Sequence, residues 1–383
     1  MKRSFKFRMY PNKQQIGILE DTLEVCRHLW NAALDDRRNT YKETGTGRTY
    51  NQQAAVLTIE KKYNPDMKAV FSQVLQNVLK RVDLGFAAYF RRVLEGAKKP
   101  GYPRFKSENQ YKSFTYPQSG FKLEGNHLTL SKIGTIRIFK HRNVEGRIKT
   151  CTIKRDGTGC WYCILVAEVE DIPKIEPKTA IGVDVGLKHL VTTSTGETIE
   201  YPKYYAQTEE KLSHAQKGMS RKKKNSSNRN KARLKVAKIH KHIANQRADF
   251  LHKASNKIAD MADLIIFEDL QIQNMLKNHH LAKAISDSSW GTLIRNTISK
   301  AASAGKIVVL VNPYNTSQRC SNCGTKVPKE LSVRVHVCPK CGLVMCRDRN
   351  AALNVLADGL SVSAYRDLAS TLGIYLQQAT SMK

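Results

Sequence analysis

Three acidic residues stand where a carboxylate needs a reason. Asp184 interrupts the apolar run TAIGVDVGLKHLVTTS at 179–194, in which Ala180, Ile181 and Val183 read as a buried strand. Gly186 follows, where backbone can approach a ligand closely, and a second β-like run begins at His189. A carboxylate in a core strand carries a large desolvation cost unless it is paired or bound to metal. Taken alone, Asp184 also reads as an ordinary acid in a turn at a strand end. ADLIIFEDL at 262–270 repeats the pattern, an apolar strand ending in Glu268 and Asp269. CRDRNAALNVLA at 346–357 sets Asp348 at the start of a helix-like segment. Three acids from separate segments make a set of hard oxygen ligands suited to Mg²⁺ or Mn²⁺. Two such ions can clamp the attacking and leaving oxygens of a phosphodiester displacement.

A second constellation is sulfur. Cys320-Ser-Asn-Cys323 and Cys338-Pro-Lys-Cys341 spell C-x2-C-x14-C-x2-C, each pair followed by Gly, at 324 and 342. Four thiolates at this spacing describe a closed tetrahedral Zn²⁺ site, which has no open position for substrate and is therefore structural. A disulfide pair is the competing reading, and nine cysteines, an odd number, fit a reducing compartment better than a disulfide scaffold. Cys160-Trp-Tyr-Cys163 also spells C-x2-C, but it lies in a β-like run with no second pair and is read as incidental.

The elements that must position these residues are legible in outline. A chain of 383 residues with 41% hydrophobic content supports more than one core. Residues 3–10 alternate as a strand that Pro11 ends, and 12–97 are mainly helical. Ile16, Leu19, Leu23, Cys26, Leu29 and Trp30 follow helical spacing, as do Val74, Leu75, Val78, Leu79 and Val82. The opposite face of the later helix carries Gln73, Gln76 and Asn77; amides there either read adenine edges or form a solvated face. KKPGYPRFK at 98–106 marks a boundary, beyond which 111–116, 127–132, 135–140, 149–155 and 161–170 read as short strands of a small barrel or sandwich. Strand 3–10 can join them, and 171–178 reads as a linker. Further on, a helix is expected over 287–304, capped at Ser286 or Asp287, followed by a core strand at 306–313. The order of strand, hairpin, basic helices, strand, helix, strand and helix fits a mixed sheet flanked by helices.

Charge speaks to partners. The formal net charge is +31, and a polyanion is its natural counterpart. Residues 203–257 hold 16 Lys/Arg against 3 Asp/Glu, broken by RKKKNSSNRNK at 221–231 into two expected helices. That excess of one sign favours phosphate over salt-bridge dressing. The candidate contacts are Arg221, Lys222, Lys223, Lys224, Arg229, Lys231 and Arg247. With no long apolar run, secretory segment or lipidation signal, the expectation is a soluble intracellular protein with no membrane partner.

Taken in order, FRMYPNKQQ (7–15), GYPRFK (101–106), IGVDVGLKHL (181–190), NQRADFLHK (245–253), FEDL (267–270), SDSSWG (286–291), the four-Cys ribbon and RDRNAALN (347–354) resemble the TnpB family. These are RNA-guided nucleases encoded in insertion sequences and related to the type V CRISPR effectors. The resemblance implies a multidomain α/β plus β fold: an RNase H-like (RuvC) core with an inserted zinc ribbon, and an N-terminal wedge β-barrel interrupted by a helical recognition domain. The barrel would take 1–10 and 98–176, the helical domain 11–97, the nuclease core 177–314 and 343–383, and the ribbon 315–342. By position Asp184, Glu268 and Asp348 match the family's three catalytic, metal-holding acids. One departure stands out: the family usually reads D-R-D-x-N-A-A, and Cys346 occupies the place of the first Asp.

The implied activity is Mg-dependent cleavage of double-stranded target DNA beside a short motif, directed by a guide RNA from the transposon end. Guide pairing reads sequence, so the protein needs charge more than base contacts. The implied cofactors are two Mg²⁺ (or Mn²⁺) ions, one structural Zn²⁺ and the guide RNA. The alternatives are a nuclease-inactive guided DNA-binding repressor, against which the retained acids argue, and a transposase-type strand transfer, since such folds host both chemistries.

Overall fold

The computed structural model describes residues 1–361 apart from 109 and 331. The last part of the expected nuclease segment, 362–383, lies outside the described residues. The chain forms two compact units, Met1–Asp171 and Ile172–Lys383.

The first unit opens with β1 (Lys2–Tyr10) and four helices, α1 (Lys13–Thr44), α2 (Tyr50–Tyr63), α3 (Pro65–Ala69) and α4 (Ser72–Leu94). Capping explains the starts of the first two. Asn12 and Gln15, then Thr49 and Gln52, exchange side-chain and backbone hydrogen bonds in capping boxes. Gly45, at φ 69°, closes α1 in the left-handed region. Six strands follow: β2 (Ser113–Tyr116), β3 (Phe121–Glu124), β4 (His127–Leu130), β5 (Gly134–Phe139), β6 (Arg147–Arg155) and β7 (Trp161–Glu168). With β1 they form a seven-stranded antiparallel sheet in the order β2-β6-β7-β1-β5-β4-β3. The first strand of the chain is thus central, paired with β7 and β5. Alternation puts Phe5, Phe7 and Met9 of β1 into the core with Cys163, Leu165 and Ala167 of β7. Cys163 is one more apolar side chain of that core, its thiol pushed up to about 12 by burial.

The second unit begins with β8 (Ala180–Val185), β9 (His189–Thr193) and β10 (Thr198–Glu200), then two long helices, α5 (Tyr204–Ser220) and α6 (Ser227–Met261). β11 (Leu264–Glu268), the short α7 (Ile272–Met275) and α8 (Ala282–Ser288), α9 (Trp290–Ala302) and β12 (Ile307–Val311) follow. The sheet order is β10-β9-β8-β11-β12, with β8, β11 and β12 parallel and the other pairs antiparallel. β11 is buried along its whole length, as an apolar strand inside a helix-covered parallel ladder must be. A two-stranded ribbon, β13 (Val335–Val337) and β14 (Val344–Cys346), leads into α10 (Arg347–Leu360). α10 lies against β8 so closely that only glycine fits at 182. A Cβ there would sit 2.1 Å from the Ala352 carbonyl oxygen.

The helix expected over 287–304 differs from expectation at its start. Ser286, Asp287 and Ser288 belong to α8, Ser289 turns the chain at φ 55°, and α9 begins at Trp290 with no side-chain cap. The physical reason lies in Asp287. Its carboxylate is drawn inward to the Arg247 guanidinium, 2.6 Å away, and to the Tyr205 amide in the first turn of α5, and so does not cap α9.

Candidate active site and metal centre

Asp184 sits near the C-terminal end of β8 and Glu268 at the C-terminal end of its parallel neighbour β11. In an open α/β sheet the carboxyl ends of adjacent parallel strands are where ligands gather. The two acids that end β11 point opposite ways: Glu268 is buried and Asp269 is exposed. Asp348 comes from elsewhere, in the first turn of α10, and is buried. A carboxylate is favoured in that turn by the helix dipole.

Asp184 lies within electrostatic reach of the other two. Burial, then the negative charges of Glu268 and Asp348, push the Asp184 carboxyl well above the usual range, with Arg347 opposing. Burial likewise raises Glu268, and the Thr316 hydroxyl, donating to its Oε1, partly offsets this. Asp348 faces two guanidinium groups, Arg347 at 3.4 Å and Arg334 at 3.9 Å. Like charges held together in a desolvated place call for a cation, and oxygen donors of this kind fit hard divalent ions. Among the described residues the acids do not form a group with ligand atoms all within 4.8 Å of one another. Carboxylates that must flank two ions some 3.5–4 Å apart need not converge on one point.

The four cysteines do converge, with all ligand atoms within 4.8 Å. Sγ of Cys320 lies 3.6 Å from that of Cys341, and Cys323 lies 3.5 Å from Cys338. These separations are too long for disulfides and close to the edge of about 3.8 Å in a tetrahedron with metal–sulfur bonds of about 2.3 Å. The two knuckles repeat one another. The Gly324 amide donates to the Cys320 carbonyl and the Gly342 amide to the Cys338 carbonyl, at 2.9 and 3.0 Å, with both glycines at positive φ. Hydrogen bonding between the Cys323 sulfur and the hydroxyl and backbone of Thr325 holds the Cys323 thiol down at about 6, an environment ready for thiolate. The donor set and its geometry fit a metal.

α10 ties the two sites together. Asn350 accepts from the Ser321 amide at 2.9 Å and donates to the Arg319 carbonyl at 2.7 Å. Asn354, one turn on, donates to the carbonyls of Thr316 and Arg319 at 2.8 and 2.6 Å. The first Cys knuckle and the loop that carries Thr316 are thereby fixed on the helix that carries Asp348. Sequence reasoning missed Thr316, Arg334, Asn350 and Asn354. Only the asparagines left a signal, an i, i+4 pair within RDRNAALN.

The predicted nucleic-acid contacts divide. Arg221, Lys222, Lys223, Lys224 and Lys231 are exposed around the α5–α6 connection. Arg229 instead folds back, donating to the carbonyls of Met219 and Lys222 at 3.2 and 3.0 Å, and closes that connection. Arg247 is likewise turned inward to buried Asp287. On α4, Gln76 is exposed and Asn77 half-buried, while the Gln73 carbonyl accepts from the backbone and hydroxyl of Ser119. A cation within reach of a buried carboxylate or an open carbonyl satisfies it first, and an amide oxygen takes the donors beside it.

Comparison with known proteins agrees across the chain. The family described as "Probable transposase" matches residues 164–279, and "Cas12f1-like, TNB domain" matches 290–355. A "Helix-turn-helix domain" family matches 1–46, where this chain forms one strand and one continuous helix. A protein of Streptomyces pristinaespiralis named "Putative RNA-guided DNA endonuclease" is 37% identical, covering 96% of this chain and 92% of that protein. InsQ of Escherichia coli K12, with the same description, is 31% identical over 100% of this chain and 99% of its own length. The solved Cas12f1–sgRNA–target DNA complex contains a chain of similar fold, with TM-score 0.59 at 12% identity, covering 93% of this chain and 98% of that one. With relatives this similar over their whole length, the chain belongs to the TnpB family and is related to the type V effectors.

Proposed function

We propose that this protein is an RNA-guided DNA endonuclease that hydrolyses target DNA next to a short transposon-associated motif. The observation that carries the reading is that Asp184 and Glu268 end neighbouring parallel strands and Asp348 opens α10, with the Asp184 carboxyl raised by burial and then by the charges of Glu268 and Asp348. Support for the guided part comes from the net charge of +31 and from the names of full-length relatives. On this reading the second unit is the RuvC-like core (177–314 and 343–383) with its zinc ribbon (315–342). The first is a wedge-type barrel (1–10 and 98–176) around a helical recognition domain (11–97).

Two Mg²⁺ or Mn²⁺ ions, when bound, supply an activated water and neutralise charge at the attacking and leaving oxygens. The chain's own part is to hold and orient. Asp184 and Glu268 offer oxygens from strand ends, which move little. Thr316 fixes the rotamer of Glu268 through its hydroxyl. Arg334 and Arg347 lie against the Asp348 carboxylate and orient it, and the exposed Arg334 would be available to a phosphate brought to the site. Cys320, Cys323, Cys338 and Cys341 hold one Zn²⁺ whose role is to keep the ribbon, and with it Arg334, in position. Exposed cations at 221–224 and Lys231 track the RNA backbone.

Asp184→Ala tests the assignment. The variant is expected to co-purify with guide RNA as the wild type does and to lose guided cleavage of linear target DNA. Cleavage at the wild-type rate would remove Asp184 from the site.

A further inference from the structure

The GYPRFK stretch meets the end of α4 in a group of rings that neither the cleavage site nor the core of the first unit uses in full. Phe86 lies buried beneath, stacked on Phe90 at 6.3 Å and edge-on to Tyr102 at 5.4 Å. Tyr89 meets both Phe90 and Tyr102 edge-on at 5.2 Å. The outer rings face solvent: Phe90 is 56% exposed, Tyr102 43%, and Leu94, one turn on from Phe90, 88%. Apolar surface left open like this gains nothing from folding.

The backbone under the rings is pinned. Arg92 donates to the Gly101 carbonyl at 3.2 Å, and the Trp30 indole to the Arg104 carbonyl at 3.1 Å. Asn31 exchanges two hydrogen bonds with the Lys106 backbone at 2.9 and 2.8 Å. Gly101 takes φ 69°, the left-handed turn that lets the loop double back over α4. The platform is therefore held rigid and open. Around it stand exposed Arg91, Lys98, Lys99 and Arg104, with Glu95 of the same stretch 3.9 Å from Arg91.

We infer that this surface stacks unpaired bases of RNA. Aromatic faces rimmed by cations take single-stranded nucleic acid of any base identity, because every base offers a π face and every linkage a charge. RNA recognition works largely on unstacked loop and bulge bases. The choice of RNA rests on the proposed function, in which the guide RNA is bound before any target and offers its unpaired bases first. A second copy of the chain is disfavoured, since two such cationic rims repel.

The test uses purified nucleic-acid-free protein and three labelled probes: a short oligoadenylate, its abasic counterpart and a blunt RNA duplex. Phe90→Ala combined with Tyr102→Ala is expected to weaken oligoadenylate binding about tenfold or more. Binding of the abasic probe and the duplex stays unchanged, and so does the salt slope. Tyr102→Leu, which keeps the apolar contact with Phe86 and removes the π face, must weaken oligoadenylate in the same direction, and Phe90→Trp must retain it. Equal loss on the abasic probe, or no loss on oligoadenylate, overturns the inference. So does a wild-type dimer that the ring substitutions dissociate in light scattering. The readout needs no cleavage. If guided cutting proceeds while the rings prove indifferent to bases, only this inference falls; if Asp184→Ala still cuts, only the site assignment does.

Discussion

Replacing Arg247 by Met removes a guanidinium whose Nη2 lies 2.6 Å from Asp287 Oδ1. The Asp287 side chain is 9% exposed and that of Arg247 24%. Once Arg247 is gone, that carboxylate keeps beside it the Tyr205 amide at 3.3 Å and the Tyr201 hydroxyl. Stripping one partner from a fully buried ion pair costs about 3–5 kcal/mol. The partial exposure on the Arg247 side admits some water, which lowers the expected loss to about 2–3 kcal/mol. Asp287→Leu costs less, about 1–2 kcal/mol, because the abandoned guanidinium can reach solvent. The double variant should then lose less than the two single losses combined, by about 1 kcal/mol or more. Urea midpoints at constant m value measure this. RNA binding across a salt series supplies the second readout. Arg247→Met is expected to leave the slope of log K against log salt unchanged, whereas Lys231→Ala lowers it by about 0.7 if that cation meets a single-stranded phosphate. If Arg247→Met kept the wild-type urea midpoint and flattened the salt slope, the guanidinium would serve a phosphate and the reasoning from burial would be refuted.

Gly182→Ala drives a Cβ to 2.1 Å from the Ala352 oxygen and 2.6 Å from the Leu356 nitrogen, both backbone, so α10 must move. A loss of about 3 kcal/mol is expected, and cleavage should fall even where the variant is fully folded, since α10 carries Asp348; rates measured below its melting range decide this. Cys346 stands at the N-cap of α10 with no side-chain hydrogen bond. Cys346→Asp should stabilise by about 0.5–1 kcal/mol through capping and the helix dipole, visible as a higher Tm. Asp263 accepts from the Lys178 and Thr179 amides and the Thr179 hydroxyl at 3.0–3.2 Å. Burial opposes ionisation there, but these donors outweigh it and hold the carboxyl below its ordinary value. A folded pKa below the unfolded one of about 3.9 gives stability that is complete above that value and fades as pH falls through the folded one. Asp263→Asn should therefore cost most near neutrality and converge with the wild type in acid, as urea midpoints over a pH series will report.

Much of this protein was readable before folding was considered. Local signals marked the long elements: the apolar runs of β8 and β11 and the helical spacing of apolar residues in α1 and α4. The Cys knuckles were legible because ligand spacing and the glycine after each pair are short-range features. The acids stood out because a charge in an apolar run is costly wherever the chain later goes. Short elements such as β3, β10, α7 and α8 were missed, since a strand of three or four residues exists only through its neighbour's hydrogen bonds.

Side-chain direction and partnership came from the tertiary structure alone. Nothing in FEDL says that Glu268 turns inward and Asp269 outward; the pairing of β11 between β8 and β12 decides it. Arg247 and Arg229 look like their exposed neighbours in a basic stretch, and only the approach of Asp287 and of two carbonyls distinguishes them. Composition and spacing act along the chain, so the sequence by itself determined which residues were able to bind phosphate, metal or core. Desolvation and Coulomb energy act through space, so which residues meet was settled only when α10, held against β8 by the missing side chain of Gly182, brought Asp348 to Asp184.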